Sequence, residues 1–152
     1  MIKMTTDDVI TRYNFISKIQ FGNGENSMPK ELKVKIMKMR IEFGKINNAF
    51  DSDVQEFSRG IITDRFNELQ NKPNRTPKEE KELGQIINNY NQEINEYVKR
   101  RCLDEVEINE YTFSEDEYAI IIDTNSENDV TINNINLKAP DFLEEFYKIF
   151  MK

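Results

Sequence analysis

Apolar residues along this chain fall on two stripes of helical spacing. In PKELKVKIMKMRIEFGKINNAF, Leu32, Ile36, Met39, Phe43, Ile46 and Phe50 recur at intervals of four, three, four, three and four, the pattern of a heptad seam. Beyond Phe50 the next apolar positions are Val54, Phe57 and Ile61, and the extra interval of four locally unwinds a supercoil. Two readings follow: one helix over 29–70 with a stutter, or a break at Ser52, whose spacing to Gln55 is that of a capping box. The long helix, with room for a bend, is favoured. A second seam repeats the spacing at Leu83, Ile87, Tyr90, Ile94 and Tyr97. Between the seams lies QNKPNRTPKEEKEL, where Pro73 and Asn74 stop the incoming helix and Thr76, Pro77 and Glu79 supply cap, first position and capping-box partner of the next. Matched stripes joined by a short turn predict an antiparallel helical hairpin over 28–103.

Around it the pattern is shorter. A first helix is expected to start at Thr5 or Thr6, with Asp7 and Asp8 in its first turn and Val9, Tyr13 and Ile16 on one face; FGNGENSMP ends it. EVEIN alternates, placing Val106 and Ile108 opposite Glu105, Glu107 and Asn109, as in a half-buried strand. YAIII, residues 118–122, reads either as a second strand or as a helical turn capped by Ser114 and Glu117; the strand is favoured. VTINNINL adds a short third piece, and Pro140 opens a last helix carrying Phe142, Phe146, Ile149 and Phe150 on its apolar side. The expected fold class is α+β, predominantly α: a long antiparallel helical hairpin with a short N-terminal helix, a small β element and a C-terminal helix. The 152 residues fit a single domain, in segments 1–27, 28–103 and 104–152.

Composition narrows the chemistry. A charged share of 32% against 38% hydrophobic keeps much of the chain in water or against polar partners, as elongated helices do. No apolar run reaches the length of a membrane span, and MIKMTTDDVI lacks the layout of a secretion signal, so no membrane role and no secretion are expected. Histidine is absent and Cys102 is the only cysteine, which removes Ser-His and Cys-His catalytic pairs, an intrachain disulfide and multi-thiolate metal sites. Arg100 and Arg101 precede Cys102, but with no histidine as base an ordinary packed thiol is expected.

Net charge is −7, so nucleic acid is not expected as a partner, yet the charge is unevenly spread. Residues 30–45 hold six basic side chains (Lys30, Lys33, Lys35, Lys38, Arg40, Lys45) against Glu31 and Glu42, whereas 102–137 hold ten acidic and no basic ones. Such polarity either holds two parts of one chain together, or copies of it head to tail, or marks two solvated faces. DTNSENDVTINN places Asp123, Asn125, Glu127 and Asp129 at alternate positions, like a calcium loop, but Asn128 stands where glycine makes the turn and Asn134 where a bidentate glutamate closes the site. Neither Glu79, Glu80 and Glu82 nor Glu105 and Glu107 stand out as an acid and base pair. No catalytic residue, cofactor or metal is therefore expected. DFLEEFYKIF concentrates Phe142, Phe146, Tyr147 and Phe150 at the end of the chain, and core packing is the first reading of them. The other makes Phe142, Phe146, Tyr147 and Phe150, together with the acidic face of Glu105 and Glu107, contacts for a partner.

The order of a short first helix, a loop ending in MPKELKVKIMKMRIEF, a helical hairpin, the strand DEVEI and the closing INLKAPDFLEEFYKIF resembles a group of small, mostly uncharacterised proteins encoded by tailed bacteriophages. EYTFSEDEYAIIID departs from that plan as an addition. The resemblance implies a virion or assembly component, made in the host cytoplasm and then carried in the particle, with no catalytic residues to transfer. The expected function is a non-catalytic structural or assembly protein packing on other subunits, self-copies or other virion proteins. The alternative is an acidic phage-encoded inhibitor or adaptor that binds a host protein; an enzyme using carboxylates or a metal ranks third.

Overall fold

The computed structural model describes residues 1–151, which are mostly helical with two small antiparallel strand pairs. The chain divides into two compact units, one formed by Met1–Asn47 together with the chain from Glu105 onward, the other by Asn48–Asp104. One division, 47/48, falls inside a helix and away from the segment boundary at 27/28, while the other, 104/105, falls one residue past the boundary at 103/104.

In the first unit β1 (Ile2–Thr5) pairs with β2 (Glu105–Ile108), setting Ile2 opposite Ile108 and Met4 opposite Val106 on the core face. EVEIN is thus a strand as expected. Its partner IKMT was not anticipated, because four residues of alternation carry little signal without the distant strand that completes it. Thr5 then caps α1 (Thr6–Ile16), its Oγ1 accepting the Asp8 amide at 3.2 Å. The end of α1 has no basic residue of its own. Arg40 supplies the missing donors, reaching the Ile16 carbonyl at 3.0 Å and the Ile19 carbonyl as well. Gly22 turns the chain at φ +79°, where a Cβ would lie 2.2 Å from the Asn26 carbonyl oxygen.

Helix α2 (Lys30–Gly60) follows directly on Pro29. Leu32, Ile36, Met39 and Phe43 are buried among Val9, Ile16, Ile108, Phe142 and Phe146. The first half of the predicted seam therefore packs in this core and not along the second seam. The expected strand at 118–122 is instead part of α5 (Glu115–Thr124). Ser114 Oγ accepts the Glu117 amide at 3.1 Å while Glu117 accepts the Ser114 amide at 2.9 Å, and Lys35 holds the same carboxylate at 2.7 Å. That capping box outweighs the β preference of three consecutive isoleucines, of which only Ile121 is fully buried. The third piece is a hairpin, β3 (Val130–Ile132) against β4 (Ile135–Leu137), turned by Asn133 and Asn134 at φ 52° and 64°. Two asparagines accept the left-handed turn with little penalty. Helix α6 (Ala139–Phe150) starts with its Ala139 amide donating to Asp129 Oδ1 at 2.9 Å.

In the second unit α2 passes through Ser52 without a break and stops at Gly60, and α3 (Asp64–Asn71) starts after Thr63. The helix expected over 29–70 is thus interrupted at 61–63, and the Ser52 break does not form. Thr63 accepts the Phe66 amide at 3.2 Å and donates its own amide to Tyr90 Oη at 2.8 Å, so cap and tertiary contact fix the corner together. Ile61 and Ile62 hid it, since they continue the apolar pattern across the gap. α4 (Pro77–Cys102) begins as predicted, with the Thr76/Glu79 capping box and Pro77 in the first turn. Asp53 meets Arg101 at 2.6 Å, Phe57 stacks on Tyr97 at 4.2 Å and Phe66 packs edge-on against Tyr90 at 5.2 Å. Partners fall in number as the first residue rises, so 53–66 and 90–101 run in opposite directions.

Candidate interaction surfaces

The residues that sequence reasoning offered for partner contact separate sharply. Phe142, Phe146 and Phe150 are buried core. Phe142 stacks on Phe15 at 5.6 Å, Phe146 lies 4.5 Å from Phe150, and Phe113 meets Phe150 edge-on at 5.8 Å. These rings occupy the first unit's interior, which an amphipathic terminal helix is suited to fill. Tyr147 alone of the four reaches the surface, 39% exposed. Glu105 and Glu107 are exposed on β2, where Glu107 faces Lys3 across the strand pair.

Tyr147 belongs to a groove of about 750 Å³ between α5 and α6, lined by Tyr118, Ile122, Ser126, Pro140, Leu143, Glu144, Tyr147 and Lys148. Its floor is apolar. Tyr118 turns its hydroxyl inward to the Leu143 carbonyl at 2.7 Å, leaving the ring edge-on to Tyr147 at 5.2 Å. Burial, then Tyr147, Glu115 and Glu144, raise the Tyr118 pKa; Glu144 lines the groove, and Glu115 lies one turn before Tyr118 on the same side of α5. Lys148, its one cation, is already engaged by Glu145 at 3.1 Å and Glu144 at 3.6 Å.

A second surface lies on α2. Val34, Met37 and Ile41 are 39%, 50% and 59% exposed, and their i, i+3, i+7 spacing puts them in one line on the side away from Leu32, Ile36 and Phe43. Lys30, Lys38 and Lys45 share that side, and no ion pair engages them among the described residues. Of the basic residues on this helix, Lys35 is bound to Glu117 and Arg40 to the α1 carbonyls; burial lowers the Arg40 pKa and its guanidinium lies 4.8 Å over the Phe21 ring. The line Val34, Met37, Ile41 was present in the sequence but masked by the stronger seam running along the other side. Only the rotation of the helix about its axis separates Val34 and Met37 from the buried side.

The calcium-like loop has a different occupation. Asn125 is fully buried. Its Oδ1 accepts the Gln20 amide and Asn128 Nδ2, both at 2.8 Å, and its Nδ2 donates to the Gln20 carbonyl at 3.1 Å and the Ile121 carbonyl at 2.9 Å. Asn128 also donates to the Lys18 carbonyl at 2.8 Å. These amides clip the loop after α5 onto the turn after α1, and Asp129 caps α6. Among the described residues no three cysteine or acidic side chains converge to hold a metal. Glu79, Glu80 and Glu82 pair with Lys72, Arg75 and Arg65 respectively, and Cys102 ends α4 half-buried. No helix among the described residues is long and apolar enough to cross a membrane.

Comparison with protein families, with curated proteins and with solved structures returned no match for this chain.

Proposed function

We propose that this chain is a non-catalytic structural or assembly protein of a phage-type particle, working by packing against other protein subunits. One observation carries the reading: apolar side chains remain at the surface in lines and grooves of helix-docking dimensions, on the outer side of α2 and between α5 and α6. Isolated exposed apolar residues are ordinary, whereas aligned ones mark contact surfaces. The groove's scarcity of free polar groups, with the Tyr118 hydroxyl already bound to Leu143, suits a protein partner better than a small metabolite. In this reading the antiparallel helical hairpin shortens to 48–104 and serves as a stiff element. The resemblance to small bacteriophage-encoded proteins points the same way, to assembly in the host cytoplasm followed by incorporation in the particle.

Quantitative mass spectrometry of purified particles tests this. The chain is expected there in many copies and at a fixed ratio to its neighbours. Absence from particles, with early synthesis and salt-sensitive capture of a single host protein, overturns the reading in favour of an acidic inhibitor.

A further inference from the structure

The two surfaces of the first unit are complementary in shape class, polarity and charge. A line of apolar residues at i, i+3 and i+7 is the form in which a helix presents anchors to a groove between two other helices. Val34, Met37 and Ile41 make such a line, and α5 and α6 make such a groove. The charges match as well. Lys30, Lys38 and Lys45 flank the line with no ion pair among the described residues, while exposed Glu115 stands at i−3 and i−7 from the groove residues Tyr118 and Ile122, and the groove's one lysine is shared by Glu144 and Glu145. Within a chain the basic helix already meets the acidic segment once, through Lys35 and Glu117 at 2.7 Å, which leaves Lys30, Lys38 and Lys45 on one side and Glu115 on the other for a contact outside it.

We infer that the outer side of α2 in one copy docks into the α5/α6 groove of a second copy, joining chains head to tail. This rests on the packing function proposed above and names the partner. Because the two surfaces are different and each copy has both, the contact is heterologous, so it propagates into a ring or a filament and does not stop at a dimer. A single helix seated in a groove is a small interface, so each contact is weak alone and gains from repetition. Opposed charge makes it sensitive to salt.

The test uses the full chain and two surface substitutions, Ile41→Asp on the helix and Ile122→Asp in the groove. Both side chains are exposed, 59% and 37%, so circular dichroism and thermal melting are expected to match the parent. At about 100 μM, sedimentation velocity is expected to show parent protein in species beyond dimer, shrinking as sodium chloride rises from about 50 to 500 mM. Each variant alone is expected to sediment as monomer. Mixed one to one, they retain one intact helix and one intact groove between them and are expected to form a dimer that grows no further. A parent that stays monomeric, or two folded variants whose mixture stays monomeric, overturns the inference. Particle composition is read separately, so the chain found in many copies in particles but silent in the mixing experiment keeps its proposed function and loses this contact. Self-association by mixing with absence from particles has the opposite meaning.

Discussion

The two units are held together by different forces. Residues 1–47 with 105 onward surround a continuous aromatic and aliphatic interior in which Val9, Ile16, Ile36, Met39, Phe142 and Phe146 have no exposure at all. In Asn48–Asp104 only Leu69 and Leu83 are buried apolar residues, and Phe57, Phe66, Tyr90 and Tyr97 remain half open. There cohesion comes from ring stacks, helix caps and the pairs Arg65–Glu82, Lys72–Glu79, Arg75–Glu80 and Arg101–Asp53, all at the surface. Burial is non-directional and insensitive to salt, whereas surface pairs are worth little each and are screened. The first unit is therefore expected to report packing defects, the second to report changes of solution.

The sharpest way to break this comparison is to cut a ring out of the first interior. Phe146→Ala removes contacts to Phe113, Tyr118, Phe142 and Phe150 together and leaves a cavity, at an expected loss of about 4 kcal/mol. Phe57→Ala, in the second unit, removes a half-exposed ring stacked on Tyr97 and is expected to lose about 1.5 kcal/mol. Hydrogen exchange of amides resolved by unit, alongside urea unfolding, measures both. Equal losses at the two positions would mean that the second unit is as well packed as the first.

Next in size is the buried amide clip. Asn125→Ala strands the part-buried Gln20 amide and carbonyl and one buried bond of Asn128, so about 2 kcal/mol is expected to go. Exchange at 18–21 and 125–129 is expected to accelerate first. The same change tests the role of the loop directly: calcium is expected to have no effect on the melting temperature of the parent or of Asn125→Ala, and a calcium-dependent rise in the parent would reassign it.

How much of this was legible in the residues follows the range of the forces. Signals closed within one turn were readable: Thr76, Pro77 and Glu79 start α4 where their spacing places them, and Thr5 starts α1. Periodicity located the helices but not their neighbours. The seam from Leu32 to Phe43 has the same spacing as that from Leu83 to Tyr97, yet it packs on Phe142 and Phe146, because a stripe specifies an apolar face and not which face it meets. Residues 118–122 read as strand on local preference, and the Ser114/Glu117 box decided for helix with help from Lys35, distant in sequence. Of the candidate contacts, the sequence groups Tyr147 with three phenylalanines that are core, and both its exposure and the Val34, Met37, Ile41 line need the rotation of the helices about their axes to be seen.

Smaller effects belong to the second unit and to solution conditions. Thr76→Ala deletes the acceptor of the Glu79 amide and is expected to lose about 1 kcal/mol, fraying the first turn of α4 in amide exchange with no change in the first unit. The mildest perturbation is pH. A hydrogen bond from Lys72, then that from the Thr76 amide, hold Glu79 at about 2 in place of its usual 4.5. The folded-state pKa lies below the unfolded one, so the unfolded chain takes up the proton first as pH falls. The contribution of Glu79 is therefore complete above about pH 5 and is lost as pH drops through 4.5 towards 2. Glu82 is lowered by Arg65 and loses its share in the same direction. Both carboxylates are half-buried members of surface ion pairs, so salt screens the effect and its size is small. Amides at the start of α4 are expected to lose protection between pH 5 and 3 while those around Phe142 and Phe146 hold. Glu79→Gln is expected to flatten the pH dependence at the α4 start, because the amide keeps an acceptor for Thr76 but no charge to lose. A pH response centred in the first unit would instead place the acid-labile pairing at Lys35 and Glu117; burial pushes the Glu117 pKa up, and the bonds from Lys35 and Ser114 together bring it below the usual value.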